Sequence, residues 1–372
     1  MPGTITTALK GYFNRTTPGY MIFFVTPFCA CRCKMCFNMD AILNAGKRDV
    51  LRLDEIERIA KNWPGLHQIN FSGGDPLLRP DFPEVVELFY KHSGTRFFTI
   101  PSSSSHPDRY EARVRKICET CPEAWIRITQ SIDAVGELHD EIRQRKGLFQ
   151  CVVDFNGRLD KLTQEFPNLS VAIATVFCKF NRGKNYEFLD YAYKNLKFTD
   201  LGSLFVRGKT PESDAKDVEG EEFVAFQNEC IRRRRAKNGR TVGLASRAFA
   251  AVNHTVSQLV MEQVSQPKYV MPCRAGRQMV VLSDEGGIEP CEMLDYMIKE
   301  GTIDIETAQL GNLRDFDYDI RKLLRTPLAK QVNREIVEKK CHCTFECATA
   351  VNTIYNWQAW PRVLKNFIAL PR

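Results

Sequence analysis

Cys29, Cys33 and Cys36 stand at C-x3-C-x2-C spacing in the run Cys29-Ala-Cys-Arg-Cys33-Lys-Met-Cys36-Phe37, just after an apolar stretch that reads as a strand. Thiolate is the soft, anionic ligand that iron-sulfur clusters take, so three thiols can hold three irons of a four-iron, four-sulfur (4Fe-4S) cluster. The fourth iron is then left open, and an open iron does chemistry rather than only storing electrons. Cys31 breaks the regularity and permits other pairings, including a C-x-C-x2-C zinc site. It adjoins both neighbours too closely to serve the same cluster easily and is read as a bystander. A structural zinc knuckle closes with four ligands from two nearby pairs. Here the nearest His is His67 and the next Cys is Cys118, so the fourth ligand is missing locally and the iron-sulfur reading is preferred.

A second group falls in the last quarter: Cys273, Cys291, Cys341, Cys343 and Cys347, with Asp284-Glu-Gly-Gly287 between the first two reading as a hairpin turn. Five thiols supply one four-iron site with one to spare. Cys273, Cys291, Cys343 and Cys347 are the favoured ligands, with Cys341 as the alternative; on the 341–347 spacing alone a zinc ribbon competes. The other thiols (Cys118, Cys121, Cys151, Cys178, Cys230) are scattered.

The elements that carry these groups follow from periodicity. Short apolar runs at 21–25, 68–71, 96–100, 125–132, 169–177 and 198–206 alternate with amphipathic segments at 53–62, 81–92, 108–121, 147–165 and 184–196. That alternation is the pattern of βα units around a parallel sheet. It predicts a partial (β/α)6 TIM-like barrel over 21–208, after an N-terminal segment 1–20. A helical linker region over 209–265 follows, with a surface helix at 221–237 whose Arg232 to Arg235 run reads as a solvated face. A small cysteine-bearing domain at 266–357 and a tail at 358–372 complete the α/β chain.

Composition bounds the classes. With 372 residues and 44% hydrophobic content the chain has material for a sizeable core, which excludes wholesale disorder and small disulfide scaffolds. The net charge is +7, mildly basic, without the dense cationic character of a dedicated nucleic-acid binder. No apolar run approaches the ~20 residues of a membrane span, and Thr26-Pro27 interrupts the one stretch that imitates a signal peptide. The expectation is a cytoplasmic protein.

Further segments, in order and at strand ends, resemble the radical SAM superfamily. Phe71-Ser-Gly73-Gly74-Asp75-Pro76 stands where that family carries Gly-Gly-Glu-Pro, with Asp for Glu. Ser131-Ile-Asp133, then His139-Asp140 and Arg143, is similar to its Ser-x-Asp-Gly and His-Asp-x-x-Arg run, with Ala134 in place of Gly. Pro101-Ser-Ser-Ser104 replaces a frequent Thr-Asn-Gly. The second cysteine group is similar to the C-terminal SPASM or Twitch extension, and one auxiliary 4Fe-4S cluster of the Twitch kind fits the count.

The resemblance implies a 4Fe-4S cluster on Cys29, Cys33 and Cys36 that binds S-adenosylmethionine through its open iron. Gly73, Gly74, Asp75 and Pro76 would meet the cofactor's amino group, Ser131 and Asp133 its ribose, and Arg143 its carboxylate. One electron, from a donor such as flavodoxin or ferredoxin, would split the cofactor to methionine and a 5′-deoxyadenosyl radical, which takes hydrogen from the substrate. Only about 20 residues precede the first strand, short of the separate leader-binding domain that peptide maturases often carry. That tilts toward a small substrate, sugar- or nucleotide-bearing, with a peptide-modifying maturase as the alternative. The outcome is oxidation with help from the auxiliary cluster, or epimerisation if a thiol returns hydrogen; Cys178, just past the fifth strand, is the thiol expected at the mouth. The rival from another class is a non-enzymatic zinc or iron-sulfur module bound to nucleic acid.

Overall fold

The computed structural model describes residues 17–238 and 244–369. Most of the expected N-terminal segment therefore lies outside the described residues. The barrel units run β1 (Tyr20–Thr26), α1 (Met39–Leu43), α2 (Leu53–Lys61), β2 (Gln68–Gly73), α3 (Phe82–Leu88), β3 (Phe97–Ser102), α4 (Pro107–Thr120) and β4 (Trp125–Ser131). They continue through α5 (Glu137–Arg143), α6 (Leu148–Glu165), β5 (Leu169–Phe177), α7 (Asn185–Asn195) and β6 (Asp200–Phe205). The six strands pair in parallel in chain order, and the sheet does not close. This is the partial barrel the alternation predicts.

Successive strand side chains point to opposite faces, and here the two faces differ. Met21, Phe23, Val25, Phe71, Phe98 and Ile126 are buried under the helices. Their alternates, among them Tyr20, Phe24, Asn70, Thr99 and Thr129, remain partly exposed. A sheet curved toward its polar, half-covered face leaves a chamber on that side, while the apolar face is sealed by packing such as Phe71 against Phe82, 4.8 Å apart and edge-on.

The described part of the 209–265 stretch is largely helical, as expected. α8 (Gly220–Asn238) follows β6, and α9 (Leu244–Ser265) packs against it. Phe223 and Phe226 are fully buried and Cys230 nearly so: apolar residues at i, i+3 and i+7 give α8 the core face of an amphipathic surface helix. The arginine run is ion-paired, Arg232 and Arg233 to Glu229, and Arg234 to Asp200, as a solvated face would be.

The cysteine-bearing end joins the barrel sheet directly. β7 (Met279–Leu282) pairs in parallel with β1, and β8 (Gly287–Glu289) and β9 (Gly311–Asn312) follow antiparallel, giving one nine-stranded sheet. Helices α10 (Leu294–Lys299), α11 (Ile320–Leu324), α12 (Pro327–Glu338), α13 (Glu346–Tyr355) and α14 (Trp360–Ala369) complete the described chain. α13 and α14 pack on α9. No described helix is long and apolar enough to cross a membrane.

Candidate functional site

Cys29, Cys33 and Cys36 line a cavity of about 100 Å³ together with Gly73, Gly74, Asp75, Ser131 and Arg143. Four separate stretches of sequence therefore meet at one place, at the C-terminal ends of the strands. Among the described residues no three His, Cys, Asp or Glu side chains converge at the spacing of a single metal ion. A zinc site needs its ligands about one point, whereas a four-iron cube needs sulfurs spread around a volume. The residues present fit the cube: Cys29, Cys33 and Cys36 share one cavity, lined besides by Cys31, Asp75, serine hydroxyls and the Arg143 guanidinium.

Cys31 is more than a bystander. Its thiol hydrogen-bonds both Cys29 and Cys33 and is nearly fully buried. These bonds lower the Cys29 pKa and draw Cys33 down to about 7, with the Arg143 guanidinium assisting at Cys33; burial pushes Cys36 up to about 12. The loop is braced by backbone bonds from Arg32 and Lys34 to the carbonyls of Arg143 and Ile142, 3.1 and 3.0 Å.

The two glycines are required by the chain itself. A Cβ on Gly74 would lie 2.0 Å from the Phe28 carbonyl oxygen, and one on Gly73, at φ +114°, 2.3 Å from that of Thr26. Gly74 and Asp75 donate their amides to those same carbonyls, at 2.7 and 2.8 Å, which clamps β2 to the cysteine loop. What this segment can offer an ammonium group is carbonyl oxygen.

Asp75 is almost completely buried and accepts from the Leu77 and Ser103 amides and from the hydroxyls of Ser103 and Tyr110. Burial raises its pKa in spite of these donors. Its carboxylate shapes the loop at the edge of the cavity, and Pro76 is buried behind it. The shorter Asp in place of Glu is matched by Ser103 and Tyr110. Pattern reading missed both because they act only across space.

Asp133 is held away from the cavity. One of its oxygens accepts from Arg143 Nε at 2.6 Å, the other from the Val176 amide at 2.8 Å, and its amide donates to His139 Nδ1. It therefore orients Arg143, with both of its oxygens engaged by the protein. Burial opposes the Arg143 charge, but Asp133 and the nearby Cys33 outweigh it and raise its pKa.

Cys178 is corrected outright. It is fully buried, packed with Cys31, Ala134 and Leu148, and burial pushes its thiol up to about 12. Phe177 turns into the helical core, whereas Cys178 packs against the cysteine loop beside Cys31 and Cys33.

In the second group, Cys273 and Cys341 hydrogen-bond each other, and Cys291 and Cys343 lie in their electrostatic neighbourhood. These four thiols come together. The strongest influences on Cys347 after burial are Glu292, Tyr20, Arg207 and Glu346, none of them a cysteine. Asn70 Nδ2 donates to its sulfur at 3.8 Å and also meets the Tyr20 hydroxyl, so Cys347 faces the barrel chamber. The grouping favours the alternative of the sequence analysis, Cys341, over Cys347. Arg207, at the end of β6, ties this end to the first site. It pairs with Glu346 (2.5 Å) and Glu292 (3.4 Å) and lies over Phe345 and over Phe37, the neighbour of Cys36. No sequence signal marked it.

Residues 23–192 match the Radical SAM superfamily. That superfamily works with a 4Fe-4S cluster and S-adenosylmethionine. The chain is 29% identical over 131 residues to GTP 3′,8-cyclase of Alkaliphilus oremlandii, covering 34% of this chain and 38% of that one. It is 29% identical over 171 residues to molybdenum cofactor biosynthesis protein 1 of Dictyostelium discoideum, covering 39% and 25%. The match therefore spans well under half of each relative's length. Among solved structures, native anSMEcpe with bound AdoMet superposes with a TM-score of 0.57 at 17% identity, covering 94% of this chain and 99% of that one. Streptococcus suis SuiB bound to S-adenosylmethionine gives 0.55 at 14%, covering 87% and 68%. At such identities the likeness is one of fold.

Proposed function

We propose that this chain is a radical SAM enzyme that oxidises a small, polar substrate, sugar- or nucleotide-bearing, held in the barrel chamber. The observation that carries the proposal is the convergence of Cys29, Cys33 and Cys36 with Gly73–Gly74, Ser131 and Arg143 on one cavity. When bound, the cluster with S-adenosylmethionine supplies one-electron cleavage of the cofactor and hydrogen abstraction from carbon. Cys29, Cys33 and Cys36 would hold it. Arg143, fixed by Asp133, meets a carboxylate; the carbonyls at Gly73–Gly74 accept from an ammonium; Ser131 offers its hydroxyl to a ribose.

The substrate reading rests on the chamber wall. Tyr20, Asn70, Thr99 and Thr129 offer hydroxyl and amide groups, and Arg207 with Glu292 and Glu346 offers both signs of charge. Such a lining suits a hydroxyl-rich molecule and disfavours an apolar one. Cys273, Cys291, Cys341 and Cys343 would hold a single auxiliary 4Fe-4S cluster of the SPASM or Twitch kind next to that chamber. Its presence, with Cys178 closed off, favours oxidation over hydrogen return by that thiol. The ion-paired arginine run argues against the nucleic-acid module.

The test is anaerobic. The reconstituted chain should carry about eight irons with matching sulfide, and should release 5′-deoxyadenosine under reduction, faster when the correct metabolite is added. Stoichiometric zinc with no 5′-deoxyadenosine would end the reading.

A further inference from the structure

Around the outer side of the cysteine loop lies a group of cations that the rest of the molecule does not use. Arg32 and Arg109 are exposed, and Arg113 and Arg145 partly so. None of the four has a carboxylate within ion-pair distance among the described residues. Arg32 reaches only the Cys29 and Cys31 carbonyls, Arg113 that of Leu77, Arg145 those of Ala30 and Ser105, and Arg109 donates no hydrogen bond described here. The proximity of three of them shows at His106, whose pKa is lowered by burial, Arg145, Arg109 and Arg113 against an opposing pull from the buried Asp75, and Arg32 and Arg145 reach neighbouring carbonyls of the cysteine loop.

The arrangement is costly to the fold. Arg109 and Arg113 are like charges one turn apart on α4, and Arg109 sits in the first helical turn, where the helix dipole disfavours a cation. Two of the three acids of the same helix, Asp108 and Glu111, pair with Arg158 instead, while Arg115 pairs with Glu165. The charges of α4 are thus segregated, leaving the side toward the cysteine loop purely cationic. Beside it Phe28, next to Cys29, is 55% exposed, the one large apolar side chain exposed on this loop. An aromatic centre with an arginine rim is the composition of a protein interface.

We propose that the face formed by Phe28, Arg32, Arg109, Arg113 and Arg145 is the docking surface for an acidic one-electron carrier protein. This rests on the cluster reading of Cys29, Cys33 and Cys36. The carrier gives up one electron to that site across the Phe28–Ala30 backbone; no bond forms or breaks at the interface. Charge complementarity selects the partner, because uncompensated cations raise the encounter rate of an acidic protein and lower that of a basic one.

The experiment uses the anaerobically reconstituted full chain, reduced flavodoxin as the probe, and stopped-flow bleaching of the cluster's visible absorbance as the readout. Arg109→Glu, at an exposed residue without described hydrogen bonds, should slow reduction by flavodoxin about ten-fold at low ionic strength, and added salt should shrink that difference. Arg115→Glu, the same charge change on the other side of α4, should leave the rate within about two-fold by the same reasoning. Reduction by dithionite, a small reductant that needs no docking surface, should proceed in every variant. Flavodoxin rates unchanged by Arg109→Glu, or slowed equally by Arg115→Glu, would overturn the proposal. So would a nucleic acid, titrated in place of flavodoxin, whose binding is what Arg109→Glu abolishes. Failure of dithionite to bleach the unmodified chain would instead remove the cluster reading itself.

Discussion

Cys347 and Gly74 show how much a single side chain decides here. Cys347 lies on the chamber wall, bonded to Asn70 and Tyr20, apart from the four grouped thiols. Cys347→Ser should therefore keep about eight irons per chain, whereas Cys341→Ser should lose about four; iron and sulfide assays check this. Gly74→Ala places a methyl group 2.0 Å from the Phe28 carbonyl. Backbone cannot yield as a flexible side chain does, so the clamp on the cysteine loop opens. The expected outcome is loss of about four irons, those of the first site, with the second retained. Of Asp75, Asp133 and Arg143, the first and last line the cavity and Asp133 holds Arg143 in place. The two carboxylates spend their oxygens on the protein.

The elements divide into those that present groups and those that hold them. β2 and β4 end at the cavity; α4 and α5 brace the loops from behind through Tyr110 and Arg143. α9 closes the side of the molecule on which α13 carries Cys347. It also contains a titrating group: His254 is brought down to about 4 by burial and by Arg235 and Arg234. The folded chain then refuses a proton that the unfolded chain accepts near 6.5, so this contribution to stability is complete above that pH and fades as pH falls toward 4. Urea midpoints should decline from pH 7 to pH 5, and His254→Gln should flatten that decline.

Across the whole molecule the continuous sheet joins the two cysteine groups into one body. β7 pairs with β1, and two polar locks reinforce the junction. Arg48 makes a two-pronged contact with Asp284 at 2.7 and 2.6 Å. Arg314 and Tyr318 both donate to the buried Glu55, whose carboxyl is held at about 2 because these bonds and the Arg52 amide outweigh its desolvation. Glu55→Gln weakens a charge-assisted contact between α2 and the C-terminal end. It should lower stability by about 1–3 kcal/mol, read by urea denaturation at neutral pH, while leaving the iron content unchanged.

The cysteine triad, the strand-end motifs, the six parallel strands and the hairpin at 279–289 were all legible in the amino-acid sequence. Each is written in spacing or periodicity over a few residues, and local backbone geometry turns such patterns into structure directly. The tertiary structure alone decided that Cys178 is core, that Cys347 belongs to the chamber and Cys341 to the thiol group, and that Tyr110 supports Asp75. It alone made α8 and α9 packed helices and placed Arg207 between the two sites. Asn70 and Cys347 are 277 residues apart, and Tyr110 and Asp75 are 35 apart. Which way a thiol or carboxylate turns depends on what the remainder of the chain brings against it, and contacts between residues so far apart in sequence leave no local pattern to read.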